Sequence, residues 1–170
     1  ADHGYHYTGA LRILKLILSY DYLWINVRVK GGAYGCMSGF FRSGETYFVS
    51  YRDPNLLKTL EIYDGIPEYL RKFQADERDM TKYIIGTFSS MDTPLYPEGK
   101  GARSMNAYLQ DLTEEMLQKD RDEVRNATAE DIRALADMIQ SVLQDPSVCV
   151  IGNEDAIQKE AQLFDKVTGL

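Results

Sequence analysis

The strongest constraint on the fold of this 170-residue chain is a long run of apolar residues that ends at two glycines. Between residues 11 and 27, apolar side chains recur at three- and four-residue steps, which predicts one amphipathic helix with a wide buried face. Thr8 is placed to cap its first turn, and Gly31 and Gly32 end it by Lys30 at the latest. The width of the apolar face indicates that the helix is covered on more than one side. Its aromatic residues, Trp24 among them, are interpreted as core and rim packing and not as a ligand site.

A β-hairpin is predicted directly after this helix. Residues 33–41 and 45–52 have the composition of strands, and the second alternates plainly, with Tyr47, Val49 and Tyr51 on one face. Residues 42–45 supply the turn, so the two strands are expected to pair antiparallel. Residues 53–55 are then predicted to end the second strand and start a helix, with Asp53 as the N-cap, Pro54 at the first helical position and Asn55 following it.

The remaining residues predict mainly helices. The predicted elements are a helix to about residue 73 kinked near Gly65, helices over 76–90 and 104–125 around a loop at 91–103, a helix from a Thr128–Asp131 capping box to about 143, a buried strand over 147–151 and a helix over 154–164. In the helix over 104–125, Tyr108 is among the residues predicted to face inward. The order of the elements predicts an α+β fold, with helices on one face of a mainly antiparallel sheet. Three strands make a thin sheet for so many helices, so we expect a further, first strand before residue 1.

Composition and charge exclude several classes of partner. The formal net charge is −7 and the isoelectric point is about 4.9, which disfavours nucleic acid and anionic membranes because their phosphates would be repelled. The apolar helix carries Arg12, Lys15 and Asp21 and is not predicted to span a membrane. Cys36 and Cys149 lie in apolar, strand-like contexts and are predicted to be buried free thiols. A reducing compartment is expected: the bacterial cytoplasm, or alternatively an organellar matrix.

Most familiar catalytic motifs are absent from the sequence. His3 and His6 are too few to predict a zinc site, and the patterns His-x-x-Glu-His, His-Glu-x-x-His and Cys-x-x-Cys do not occur. Neither histidine nor either cysteine has a partner placed to form a nucleophile–base pair. The glycines at 31–35 lead into a strand, whereas a phosphate-binding loop leads from a strand into a helix.

The densest cluster of chemically active residues is residues 27–35, VRVKGGAYG. Glycines let the backbone turn sharply or approach another surface closely. Arg28 and Tyr34, held around such a turn, can present a cation and a phenol hydroxyl to one acceptor. The structural alternative is that Arg28 pairs with a carboxylate such as Asp21, while Tyr34 only fills the sheet.

This cluster, with YLW at residues 22–24, resembles the C-terminal half of the pitrilysin-type (insulinase-type) zinc metallopeptidases, and most of all the presequence protease branch. Three further segments add to the resemblance: YTGAL at 7–11, SYRDP at 50–54 and IGN at 151–153. The resemblance implies that residues 1–170 form a single domain, the fourth and last of four homologous domains with the LuxS/MPP-like metallohydrolase fold.

In that family two halves close around an unfolded peptide, and the N-terminal half binds zinc through an inverted His-x-x-Glu-His motif. The resemblance therefore implies that Arg28 and Tyr34 reach across to the scissile bond and that Gly31, Gly32, Ala33 and Gly35 form the loop that approaches the substrate. No metal ligand is expected in this chain, and its partners would be the N-terminal half and unfolded peptides. Without the zinc motif, the fragment alone is expected to be inactive.

Two alternatives belong to other functional classes. The chain could be a non-catalytic scaffold or interaction domain related to the same peptidases, although such relatives tend to lose the site residues. It could also be an independent small binding module, which would be a stable monomer without an exposed sheet edge.

Overall fold

The computed structural model describes residues 4–169 and shows an α+β fold. Its elements, in chain order, are α1 (Ala10–Ile17), the π-helical segments π1 (Leu18–Tyr22) and π2 (Trp24–Lys30), β1 (Gly35–Phe40), β2 (Thr46–Tyr51), α2 (Leu57–Asp64), α3 (Ile66–Arg71), α4 (Glu77–Met91), α5 (Pro97–Leu109), α6 (Glu114–Arg125), α7 (Ala129–Arg133), α8 (Ala136–Leu143), α9 (Glu154–Lys159) and a 3₁₀ turn (Ala161–Leu163). No helix in this described range is long and apolar enough to cross a membrane.

One long helix, made of α1, π1 and π2, forms the centre of the core. Six of its side chains are completely buried: Ile13, Leu14, Ile17, Leu18, Leu23 and Val27. α1 contacts α4, α6, α7 and β1, so the predicted covering on more than one side is confirmed. The predicted end by Lys30 is also confirmed. The widening of the second half into π turns was not predicted, because apolar spacing does not distinguish an α turn from a π turn.

The predicted hairpin is confirmed as an antiparallel pair. Cys36 lies opposite Ser50, and Met37 lies opposite Val49. On the inner face, Ser38 is fully buried and Phe48 packs on Tyr63 of α2, with ring centroids 5.6 Å apart. On the outer face, the described elements leave an exposed apolar surface made of Met37, Tyr47, Val49 and Tyr51. The helices therefore cover one face of the sheet, as predicted.

A buried carboxylate joins three distant parts of the chain. Asp120 of α6 is 3% exposed and accepts hydrogen bonds from Arg42 Nη2 at 2.6 Å and Arg12 Nη2 at 3.4 Å. One turn further along α6, Glu123 Oε2 accepts from the Gly9 N–H at 2.6 Å and from the Thr8 hydroxyl at 3.0 Å. These two carboxylates fix the start of α1 and the hairpin turn to α6.

Several predicted helix boundaries were wrong. The predicted loop at 91–103 contains the start of α5, where Pro97 is the first helical residue. The predicted helix over 104–125 is broken, because Asp111 has a left-handed backbone (φ 51°) and Thr113 caps a new helix by accepting from Met116 N–H. Tyr108, predicted to face inward, is 82% exposed.

The strand predicted over 147–151 is absent from the described residues. Among the described residues, the two strands of the sheet pair only with each other, and this apolar segment adds to neither of their outer edges. Its Ile151 is 81% exposed and its Cys149 is exposed, while Cys36 is only half-buried. The prediction of two buried thiols was therefore wrong.

Two capping predictions had different outcomes. The Thr128–Asp131 capping box is confirmed, with both reciprocal hydrogen bonds present. The helix predicted to begin at Pro54 begins instead at Leu57. Asp53 Oδ1 accepts from the Asn55 N–H and Oδ2 accepts from the Thr59 hydroxyl, so Asp53 closes a turn before the helix and does not cap a helix at Pro54.

Replacing Asp120 with alanine is expected to lower the free energy of unfolding by about 3 kcal/mol, because two partly buried guanidinium groups lose their counter-charge. Urea denaturation of the chain measures this change. Asp122→Ala is the control: its pair with Arg125 on the same helix is exposed, and a change within about 0.5 kcal/mol is expected. Equal effects of the two variants would contradict the structural role of Asp120.

Gly32→Ala is expected to destabilise the chain by about 1–2 kcal/mol, because Gly32 has φ +84°, a conformation that costs other residues this much. Gly35→Ala is the matched control, since an added methyl group there meets no atom within 4 Å. Thermal unfolding of both variants gives the comparison, and a Gly35→Ala loss as large as that of Gly32→Ala would refute the prediction.

Candidate functional site

Arg28 lies on π2 and is held by two contacts. Its Nε donates to the carbonyl oxygen of Tyr34 at 2.9 Å, and its guanidinium carbon lies 3.8 Å from the centre of the Trp24 ring. Residues four apart share one face of such a helix, which places the indole beneath the cation. Arg28 takes part in none of the ion pairs found among residues 4–169. Its two terminal nitrogens therefore remain available to a ligand.

Tyr34 lies just before β1, with a fixed backbone and an exposed ring. Its N–H donates to the carbonyl oxygens of Tyr51 at 3.1 Å and Arg52 at 3.3 Å. The ring stands edge-on to that of Tyr51, with centroids 5.9 Å apart. The side chain is 65% exposed, and no described residue accepts a hydrogen bond from its hydroxyl. The phenol is thus oriented by its neighbours and free to donate.

The glycine turn between Arg28 and Tyr34 is a helix C-cap. The Gly32 N–H donates to the Arg28 carbonyl at 2.9 Å, and the Ala33 N–H donates to the Val27 carbonyl at 3.2 Å. These two hydrogen bonds are nested as in a Schellman motif, but each spans one residue more than in that motif. The extra residue is expected where a helix ends in a π turn and not in an α turn. A side chain on Gly31 would lie 2.4 Å from the Val27 carbonyl oxygen, so only glycine fits there.

The predicted loop residues therefore differ in their roles. Gly31 and Gly32 are required by the helix end itself, and Ala33 is buried beneath the turn at 3% exposure. Gly35 has no close neighbour at the position of a Cβ atom. None of these four positions has a side chain that could donate to a ligand, so their contribution is to fix the path of the chain between Arg28 and Tyr34.

A polar layer lies behind the turn. Asn55 Nδ2 donates to the Gly31 carbonyl at 2.6 Å, while Asp53 accepts from the Asn55 N–H and from Thr59 of α2. Burial raises the pKa of the nearby Cys36 thiol, the Arg28 guanidinium opposes that shift, and the Asp53 carboxylate adds to it. Cys36 is therefore a protonated, weakly reactive thiol near pH 7 and is not placed to act as a nucleophile.

The alternative pairing of Arg28 with Asp21 is wrong. The Asp21 carboxylate accepts a hydrogen bond from the Tyr83 hydroxyl of α4, and burial together with that bond raises the pKa of Tyr83. Arg28 instead contacts a carbonyl and an aromatic face. The structure thus brings Arg28 and Tyr34 together through the backbone of Tyr34.

The donor set of this site does not suit a metal ion. A guanidinium and a phenol offer N–H and O–H groups, whereas zinc binds thiolates, imidazoles and carboxylates. Within the described range, no group of three or more His, Cys, Asp or Glu side chains could hold a metal ion. His3, one of the two histidines considered from sequence, lies outside the described residues.

Three residues of the site were missed by the sequence interpretation. Trp24 was assigned to packing, yet it forms the platform beneath Arg28. Arg52 has a left-handed backbone (φ 48°) and places a second guanidinium 5.8 Å from the centre of the Tyr34 ring. Asn55 was read as part of a helix start. The four-residue spacing of Trp24 and Arg28 was the one signal in the sequence for these residues. The contacts of Arg52 and Asn55 depend on the hairpin, which brings residues distant in the chain together.

Comparisons with known proteins agree with this picture. The family model described as "PreP C-terminal domain" matches residues 1–154. The chain is 52% identical to Protein HypA of Clostridium perfringens over 165 residues. This aligned region covers 97% of the chain and 17% of that protein. It is 40% identical to Presequence protease 1, chloroplastic/mitochondrial, of Arabidopsis thaliana over 148 residues. This aligned region covers 86% of the chain and 14% of that protein.

A third relative, Presequence protease, mitochondrial, of Xenopus laevis, is 35% identical over 124 residues, or 73% of the chain and 12% of that protein. The chain therefore spans less than a fifth of the length of these relatives. The resemblance inferred from residues 27–35 is confirmed by matches that extend over most of the chain. On this evidence the chain belongs to the PreP C-terminal domain family.

Proposed function

We propose that the chain is the C-terminal part of a zinc metalloendopeptidase that degrades unfolded peptides, and that Arg28 and Tyr34 donate hydrogen bonds to the substrate at the scissile bond. The observation that carries this proposal is the pairing of an exposed, unengaged phenol hydroxyl with a guanidinium fixed to the same turn. Zinc would be bound outside this chain, because its described residues do not fit a metal site.

The chemistry of peptide hydrolysis suits these two donors. Attack on the carbonyl carbon of a peptide bond places negative charge on its oxygen, and donors aimed at that oxygen lower the barrier. Arg28 uses Nε to hold the Tyr34 carbonyl and keeps its two terminal nitrogens for the substrate. A charge-assisted bond from the guanidinium and a second from the phenol would stabilise the same oxyanion.

The shape of the site supports a two-part enzyme. Arg28 and Tyr34 stand at the corner where π2 meets the hairpin, and neither of them lines the surface depression found along α6. An exposed corner cannot exclude water by itself, so a second surface must close over it. We assign that role to the N-terminal half of the same polypeptide, consistent with relatives that are more than five times longer than this chain.

The names of the relatives bear on substrate and compartment. Two of them are presequence proteases of chloroplasts or mitochondria, and a third is a bacterial protein. We propose unfolded peptides as substrates and a bacterial cytoplasm as the compartment, with an organellar matrix as the alternative. A non-catalytic scaffold would have no need for the paired donors, and no contact among the described residues favours it.

Tyr34→Phe in the full-length enzyme is expected to lower kcat on an unfolded peptide by about 10- to 1000-fold, the range found when one oxyanion donor is lost. Zinc content and thermal stability should stay at wild-type values, since the hydroxyl forms no hydrogen bond with any residue that the structure describes. Tyr108→Phe, which removes the hydroxyl of a still more exposed tyrosine on α5, is the control and should leave kcat unchanged. Wild-type turnover by Tyr34→Phe would rule out the proposed role.

A further inference from the structure

We propose that Asn55 is a positioning residue that fixes the relative placement of Arg28 and Tyr34 through the carbonyl of Gly31. The inference rests on the proposed function, because it assigns Asn55 a role at the same site. Asn55 has no expected contact with the substrate. Its effect would pass entirely through the glycine turn.

The turn is tied down at its midpoint. Asn55 Nδ2 donates to the Gly31 carbonyl oxygen at 2.6 Å. Gly31 is three residues from Arg28 and three residues from Tyr34, so this bond fixes the backbone that links the two donors. Gly31 is also the C-cap residue of π2, where no further helical N–H follows to satisfy its carbonyl.

Asn55 is itself held from behind. Its backbone N–H donates to Asp53 Oδ1 at 2.9 Å, and Asp53 Oδ2 accepts from the Thr59 hydroxyl at 2.7 Å. Thr59 lies in the first turn of α2 and is only 4% exposed. A continuous set of hydrogen bonds therefore runs from the buried side of α2 to the glycine turn.

Helix termination does not depend on this bond. The Gly32 and Ala33 N–H groups already bond back to Arg28 and Val27, and the Arg28 Nε–Tyr34 bond closes the loop. Loss of the Asn55 side chain is therefore expected to leave π2 and β1 intact while freeing the turn to shift. A small misplacement of reacting groups is enough to slow catalysis about 100-fold.

The first test uses the full-length enzyme. Asn55→Ala and the similarly sized Asn55→Asp, which cannot donate, are expected to lower kcat by about 10- to 100-fold with KM changed less than about twofold. The matched control is Asn26→Ala on π2, where Nδ2 donates to a backbone carbonyl, that of Tyr22, without touching the turn. An equal loss in the control would overturn the proposal.

A double mutant separates positioning from a general loss of structure. If Asn55 acts through the Arg28–Tyr34 pair, Asn55→Ala should cost much less in a Tyr34→Phe background than in the wild type. Fully multiplicative losses would overturn the proposal. The proposal would also be overturned if both Asn55 variants had wild-type kcat while Tyr34→Phe had a lowered kcat.

A second readout does not depend on activity. Trp24 is the one tryptophan in the 170-residue chain, and the Arg28 guanidinium covers its ring. In the 170-residue chain, Asn55→Ala should alter the emission maximum of Trp24 and increase acrylamide quenching, with the far-UV circular dichroism unchanged, while Asn26→Ala should leave all three measurements unchanged. If Tyr34→Phe has wild-type activity, the proposed function fails, and the fluorescence alone decides whether Asn55 positions Arg28. An unchanged spectrum of Asn55→Ala would refute the positioning role of Asn55.

Discussion

Burial of one long helix is the constraint on which the rest of this structure depends. Its apolar side chains cover too wide an arc for a single neighbour, so α4, α6, α7 and the hairpin must all pack against it. Burial on several sides leaves little room for polar groups. Its ion pair lies at the start of the helix, where Asp120 accepts from Arg12 and Arg42 and Glu123 accepts from the Gly9 N–H and the Thr8 hydroxyl.

The opposite end of the same helix determines the geometry of the candidate site. The π turns of π2 bring Trp24 and Arg28 onto one face, and the wide C-cap at Gly31 and Gly32 turns the chain directly into the hairpin. Tyr34 directly precedes β1, and its N–H donates to the carbonyl oxygens of Tyr51 and Arg52, which fixes its backbone. The geometry of the site thus follows from how a buried helix ends. Arg28 and Tyr34 are held in place because the elements that carry them pack in the core.

Sequence patterns predicted what depends on local chemistry and missed what depends on partners distant in the chain. The helix, its glycine end, the hairpin and the Thr128 capping box follow from residues within one or two turns of each other. The segment at 147–151 has the composition of a strand, but a strand forms only by pairing with another one, and among the described residues this segment pairs with neither strand of the hairpin. Likewise, the motif at residues 27–35 indicated Arg28 and Tyr34, whereas the contact of Asn55 with Gly31 spans 24 residues and leaves no periodic signal.

The exposure of the two donors is consistent with a catalytic role only if the site is completed by another surface. In water, a phenol and a guanidinium gain little from an anion, because solvent competes for every hydrogen bond and screens the charge. The same donors become effective when water is excluded and their orientation no longer has to be established during the reaction. On the proposed function, this chain supplies the orientation, through Trp24, the Gly31 turn and the Tyr34 backbone. The exclusion of water would come from the surface that closes over them, so the two halves would each be inactive alone for different physical reasons.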